Sequence, residues 1–382
     1  MRRVSIDNLE PGMTVARSVI GLDGRALLNQ NTMLTEQYIS GLKKLGVGSV
    51  YIKDGLANVE TPEVVTRQVL SSVASTLNDS LKTFSAGKTM NIESLKNGII
   101  TLLEDIVRNP NVLIQLEDIR TFDDYVFFHS VNVAVFALMT GRSLGYQEGN
   151  LVELGLGALL HDIGMITIDP AILNKPDALS TSEQEQMRKH PEVGFNILRT
   201  YREVSTKAAH IAFQHHEKVD GTGYPRQLRD KQILEFAKIV AVADTFDAIT
   251  SDRPHRNGYS TTDGIFILQK MVNSYFSPDI VEAFVSNVAL YPVGSLLSLN
   301  TGHIAVVTSV NRINAARPVI NVICDQDGIL VRPTIKINLN KTKEVTIVKR
   351  LNYHETELIK AKIAMGTHLH SSNAIYSEAA NA

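Results

Sequence analysis

The doublet His161-Asp162 closes LGLGALLHDIG, a segment otherwise almost wholly apolar, and it limits what this chain can fold into. An unpaired carboxylate and imidazole are costly to bury, so a core that takes in this segment must bring them a neutralising partner. His129, His190, His215, His216 and Asp244 share the habit, each sitting in or beside an apolar helical stretch. Helices distant in sequence must therefore converge on these groups. Metal ions are the simplest partner for such a set.

At 382 residues the chain exceeds one core of usual size, so two or three domains are expected. Residues 1–58 read as a small α+β domain, in which RRVSI, MTVARSVI and SVYIKD surround the helix candidate TEQYISGLKKLG. LANVETPE follows as a linker, and amphipathic helices are expected over 63–85 and 92–108, so that 59–114 forms a helical linker. Residues 115–290 are strongly helical and hold every candidate ligand. From YPVGSLLSLN the texture turns β-rich over 291–352, with HIAVVTSV, VINVICD and EVTIVKR joined by polar turns. This stretch is a candidate small barrel and dimer surface. Residues 353–382 read as a partly disordered tail, small and polar from about 366. The fold class is mainly α, with an all-helical central domain between α+β and β-rich flanks.

A net charge of −2 argues against general binding of long nucleic acid or a membrane surface. The single cysteine, Cys324, excludes an intrachain disulfide and fits a reducing compartment. The opening MRRVSIDNLEPGM lacks an apolar signal core, and no apolar run reaches membrane-spanning length. The expected location is cytoplasmic.

Within the helical stretch, His129 lies in DDYVFFHSVNVAVFALM and Asp244 in EFAKIVAVADTFDAIT. His161 and Asp162 are expected to close their helix, with Gly164 as its C-terminal cap. Ser180 and Glu183 form a capping-box pattern whose helix is expected to run to His190, where Pro191 stops it. His215 and His216 end KAAHIAFQHHE, and His210, one turn earlier, is read as structural. Five histidines and two aspartates exceed one site's needs but suit two metals sharing a carboxylate, with Asp162 as the natural bridge. Two divalent cations bring four positive charges against two from Asp162 and Asp244, leaving room for a hydroxide and an anionic phosphate. A bound metal lowers the pKa of water from about 15.7 to roughly 7. Iron and manganese suit this donor set, and nickel or zinc are also accepted.

At HHEKVDGTGYP the chain, together with HDIG, resembles the bacterial HD-GYP family of metal-dependent phosphohydrolases. The match continues through IVAVADTFDAITSDRP and covers roughly residues 115–290. The resemblance implies an all-helical HD-type catalytic domain that hydrolyses cyclic di-GMP to pGpG and, in some members, on to GMP. It implies that His129, His161, Asp162, His190, His215, His216 and Asp244 are metal ligands. Asp162 and Asp244 would fix the metal pair, with Asp247 beside them as a supporting or substrate-positioning group. Arg253 and Arg256 match positions that contact substrate phosphates. Gly223, Tyr224 and Pro225 form the name-giving loop, with Tyr224 on the guanine side. Diguanylate cyclases or other signalling proteins are the expected protein partners.

Two departures bear on activity. The family usually writes HD-x-G-K, whereas the fifth position here is Met165, which neither carries charge nor donates a hydrogen bond. Members with three metals carry a glutamate one turn before the first histidine, where this chain has Tyr125. Two metals and mainly pGpG are therefore expected. The alternative is a cyclic di-GMP sensor with little turnover, motivated by Met165.

Overall fold

The computed structural model describes residues 2–21, 25–45, 47–53, 63–109, 113–114, 125–173, 175, 177–251, 258–310, 314–352 and 354–359. The N-terminal unit contains β1 (Arg2–Ser5), β2 (Val19–Ile20), β3 (Ala26–Leu28), α1 (Glu36–Lys44) and β4 (Ser49–Ile52). β1 pairs antiparallel with β4, and β2 with β3. Val4, Val15, Leu34, Leu42 and Val50 form its small core. Thr35 caps α1 by accepting the Tyr38 N–H.

Two amphipathic helices follow, α2 (Arg67–Ser85) and α3 (Ile92–Arg108). Buried Asp105 of α3 accepts both the N–H and the hydroxyl of Thr66 at 3.0 Å, which fixes the start of α2 against its neighbour. The N-terminal unit is seated on the same end of α2. Arg17 pairs with Glu63 at 2.8 Å, and Arg17 and Arg67 both lie over the Tyr51 ring.

The helical body comprises α4 (Tyr125–Ser143), α5 (Glu148–Leu159), a 3-10 turn (Ile163–Thr167), α6 (Pro170–Leu173), α7 (Thr181–Met187) and α8 (His190–Leu198). It continues through α9 (Thr206–Gln214), α10 (Glu235–Thr250), α11 (Thr261–Lys270) and α12 (Pro278–Val285). Residues 128–141 of α4 are buried on every face, as expected of a helix that is apolar all round. α2, α5, α10 and α12 pack around it. Phe136, Phe246 and Phe284 meet there with ring centroids 4.9–5.5 Å apart. The chain is mainly α, as its periodicity implies.

Two local expectations fail for clear physical reasons. The Ser180–Glu183 capping box is present, but its helix stops at Met187, and a new one starts at His190 with Pro191 in its first turn. Proline suits that turn because its missing N–H would have no intrahelical acceptor. Pro191 therefore opens a helix rather than closing one. Likewise α5 ends at Leu159, and Gly164 sits inside the 3-10 turn rather than capping the helix. A Cβ on Gly164 would lie 2.0 Å from the His190 carbonyl oxygen, so the residue is small because α8 passes against it.

After residue 290, β5 (Leu296–Leu299), β6 (Ile304–Ser309), β7 (Val319–Cys324), β8 (Leu330–Asn338) and β9 (Ile347–Arg350) form one antiparallel sheet in the order β8-β7-β6-β5-β9. Leu297, Val307, Ile320 and Val322 fill one core, and Leu296, Ile304 and Val306 a second. Burial pushes the Cys324 thiol up to about 11, which leaves it unreactive. Residues 354–359, placed in the tail by sequence, are helical, with Thr356 buried and Ile359 packed on the second core. The remaining tail, 360–382, lies outside the described residues. Among the described residues no helix is long and apolar enough to cross a membrane.

Candidate metal centre

Five separate pieces of the helical body deliver the polar side chains to one place. His129 comes from α4, His161 and Asp162 from the turn after α5, His190 from the start of α8, His215 and His216 from the end of α9, and Asp244 from α10. Their donor atoms fall into two groups, Asp162 with His190, His215 and His216, and His129 with His161 and Asp244. Within each group they lie within 4.8 Å of one another. Asp162 touches both. Its Oδ1 lies 3.3 Å from His190 Nε2 and 3.5 Å from His215 Nε2, while its Oδ2 lies 3.3 Å from His161 Nε2 and 4.0 Å from His129 Nε2.

The imidazoles are held in one tautomer from behind. His161 Nδ1–H donates to the Ala158 carbonyl at 2.7 Å, His190 Nδ1–H to Met187 at 2.7 Å, and His215 Nδ1–H to Ala212 at 3.0 Å. Carbonyls only accept, so the Nε2 lone pairs point inward. His190 and His215 then face each other at 3.3 Å through Nε2 atoms that are both acceptors in the neutral state. That contact is repulsive unless a cation or a proton lies between them. Two donors sharing one ion at bonds of about 2.1 Å would stand about 3.0–3.4 Å apart. His161 Nε2 is buried and has no hydrogen-bond partner. Such an orphaned atom is costly in a protein interior and normal in a metal ligand. The donor set therefore fits divalent metal ions.

The electrostatics agree. Burial alone would raise the carboxyls of Asp162 and Asp244, and both fall below the usual range where positive charge faces them, chiefly a proton on His161 for Asp162 and on His129 for Asp244. Burial pushes His190 down to about 4 and His216 well below its ordinary value, so both are neutral near pH 7, the state in which an imidazole can bind a metal. Burial also works against a proton on His129, but hydrogen bonds to Asp244 and Asp247 win and raise it well above its ordinary value.

Among the supporting residues, Asp247, Gly223 and Tyr224 are ones the sequence points to, whereas Asn132 and Glu217 carry no signal there that singles them out. Asp247, 1% exposed, accepts His129 Nδ1–H at 2.7 Å and Asn132 Nδ2–H at 2.9 Å. It stands behind His129 and positions that ring. Glu217 is buried and accepts the N–H groups of Arg226 and Leu228 at 2.7 and 2.9 Å, tying the loop after the GYP triplet to the residue after His216. A Cβ on Gly223 would lie 2.4 Å from Lys218 N and 2.6 Å from the His216 carbonyl oxygen, so only glycine allows this approach. The loop then lays Tyr224 on the His216 ring, with centroids 4.7 Å apart and planes at 28°. The Tyr224–Pro225 bond is cis, and Arg188 lies over the Tyr224 ring. His210 lies outside the cluster, bonded to the Thr206 carbonyl and edge-on to Phe195. Arg253, Arg256 and the side chain of Tyr125 lie outside the described residues. Met165 is half-buried and shares a cavity wall with Asp162.

Comparison with known proteins agrees with this geometry. A family model described as an HD domain matches residues 102–280, and one described as a KOW domain associated with HD domain matches residues 296–359. The cyclic di-GMP phosphodiesterase PA4108 of Pseudomonas aeruginosa is 40% identical over 202 residues, covering 53% of this chain and 49% of that protein. A cyclic di-GMP phosphodiesterase of Thermotoga maritima is 35% identical over 184 residues, covering 48% of this chain and 49% of that protein. The chain thus spans about half the length of these relatives. A solved HDG"Y"P protein from Bdellovibrio bacteriovorus shares the fold at a TM-score of 0.51 and 19% identity, covering 74% of this chain and 97% of that one. With the His-Asp doublet and the GYP loop both folded onto one cluster, residues 102–280 match an HD domain in sequence and share their fold with that solved protein.

Proposed function

We propose that this protein is a metal-dependent phosphodiesterase that hydrolyses cyclic di-GMP, mainly to pGpG. The observation that carries the reading is the division of the Asp162 oxygens between two groups of inward-facing donors. His129, His161 and Asp244 would hold one ion, His190, His215 and His216 the other, and Asp162 would be shared. When bound, divalent ions, of which iron or manganese suit the donors well, supply a water that ionises near neutral pH and offset charge on the phosphate.

The chain's own residues prepare that chemistry. Asp247 and Asn132 fix His129, and backbone carbonyls fix His161, His190 and His215. Tyr224 stacks on His216, so the GYP loop orders a ligand of the centre as well as its rim. Arg253 and Arg256 would steady the substrate phosphates. The preference for pGpG rests on a two-ion centre, with Tyr125 where the family's three-metal members carry glutamate. The reading carries with it a cytoplasmic location and signalling partners such as diguanylate cyclases.

The test is turnover by metal-loaded protein prepared without oxygen, with products separated by chromatography and with cyclic AMP-GMP and mononucleotides as competitors. Cyclic di-GMP left intact after hours would defeat the proposal. A second reading, a sensor with little turnover, draws on Met165 beside Asp162. Tight binding without product would favour it.

A further inference from the structure

A cavity of about 690 Å³ opens between α2 and the turn that carries Asp162. That volume falls in the range of small-molecule sites, roughly 300–1,000 Å³. One wall is the turn itself, with Ile163 and Met165 beside Asp162. The opposite wall is a stripe on α2, where Leu77, Leu81 and Ser85 recur at helical spacing with Asn78 and Lys82 between them. The sequence reads this helix only as a linker. Lys82 is the one cationic side chain among the described residues lining the cavity. It is exposed, and among the described residues it forms no ion pair.

Because the cavity reaches Asp162, a phosphodiester held at the metal centre must extend the rest of its molecule into this space or away from it. The apolar walls suit the faces of a nucleobase. A cyclic dinucleotide also carries a second phosphate into whatever space it occupies, and burying that charge against apolar walls without a counter-charge is costly. An unpaired ammonium at the cavity edge answers that need. We propose that α2 forms one wall of the substrate cleft and that Lys82 pairs with the uncleaved phosphate of bound cyclic di-GMP. This rests on the phosphodiesterase reading given above.

The test compares full-length metal-loaded wild type, Lys82→Ala, Lys82→Arg and Lys88→Ala, the last a control outside the cavity. Steady-state turnover and calorimetric binding of cyclic di-GMP are both measured. Lys82→Ala should raise KM and Kd by about 5- to 30-fold, the scale of one charge-assisted hydrogen bond at an exposed position. Its kcat should change by less than about twofold, the signature of lost uniform binding. Lys82→Arg and Lys88→Ala should stay near wild type, and about 0.5 M salt should narrow the Lys82→Ala difference, since an exposed ion pair is screened. A Met165→Lys change on the Lys82→Ala background should recover affinity by returning a cation to the same cavity. Wild-type turnover with Lys82→Ala unaltered, or with Lys88→Ala equally impaired, would overturn the role of Lys82 and leave the function standing. A wild type that neither binds nor cleaves cyclic di-GMP would overturn the function and this inference together.

Discussion

Gly164→Ala is the smallest change that should damage the metal centre without touching a ligand. The added Cβ would sit 2.0 Å from the His190 carbonyl oxygen and 2.8 Å from both the His190 carbonyl carbon and Gly194 N. Ordinary contact begins at 3.4 Å, so the oxygen contact alone requires a separation of about 1.4 Å. None of these atoms belongs to a flexible side chain. The turn and α8 must therefore move apart, and they carry Asp162 and His190 with them, whose donor atoms are 3.3 Å apart. Metal–ligand bonds tolerate only about ±0.2 Å, so a shift several times larger should empty the site containing His190. Overpacking of this sort also costs about 1–3 kcal/mol of stability. Gly194→Ala is the natural companion, because its Cβ would meet only contacts of 3.3–3.4 Å. Elemental analysis and thermal unfolding of both variants, with and without metal, provide the assay. Gly164→Ala should lose at least one ion per chain and unfold earlier, while Gly194→Ala should stay close to wild type. Full metal content and an unchanged midpoint in Gly164→Ala would refute the close-packing argument.

Three further outcomes follow from the same geometry. Asp247→Asn keeps the shape but removes the charge behind His129, so metal affinity should drop by about 10- to 100-fold in a chelator competition, and an unchanged affinity would contradict its positioning role. Met165→Lys should raise kcat/KM by about 5- to 150-fold, scaled from about 1–3 kcal/mol for a charge-assisted contact, and an unaltered rate would remove Met165 as a limiting residue. The pH dependence has a definite sign. The raised pKa of His129 gives the metal-free protein stability that is complete below its unfolded value of 6.5 and is lost as pH rises through its folded value. The depressed carboxyls of Asp162 and Asp244 give stability present above 3.8 and lost as pH falls through their folded values. Metal must displace the proton on His129, so apparent affinity should rise with pH and binding should release protons, measurable by calorimetry in buffers of different ionisation heat. Proton uptake, or affinity falling with pH, would contradict it.

The cluster of candidate ligands was legible in the sequence because each of its members violates the apolar pattern around it. Burial at 0% for His161 and 2% for His215 is tolerable only with a partner, and periodicity alone says the partner must come from another helix. What sequence left hidden was contact between distant segments. Pro191 has the same local meaning at the end of one helix as at the start of the next, and only the position of the break decides between them. Gly164 looks like a cap because the demand for a missing side chain comes from α8, some thirty residues away. Glu217 resembles any solvated acid until the loop at Arg226 and Leu228 folds back onto it. α2 read as a plain amphipathic linker, since nothing in its own pattern reveals that its stripe faces the turn bearing Asp162. Composition and period fix which faces are apolar. They do not say which apolar face meets which.

Anomalous diffraction from crystals of the metal-loaded protein tests the central claim most directly. Two peaks should flank Asp162, one among His129, His161 and Asp244 and the other among His190, His215 and His216. A single peak, or metal bound away from these side chains, would contradict the shared-carboxylate centre on which the proposed chemistry rests.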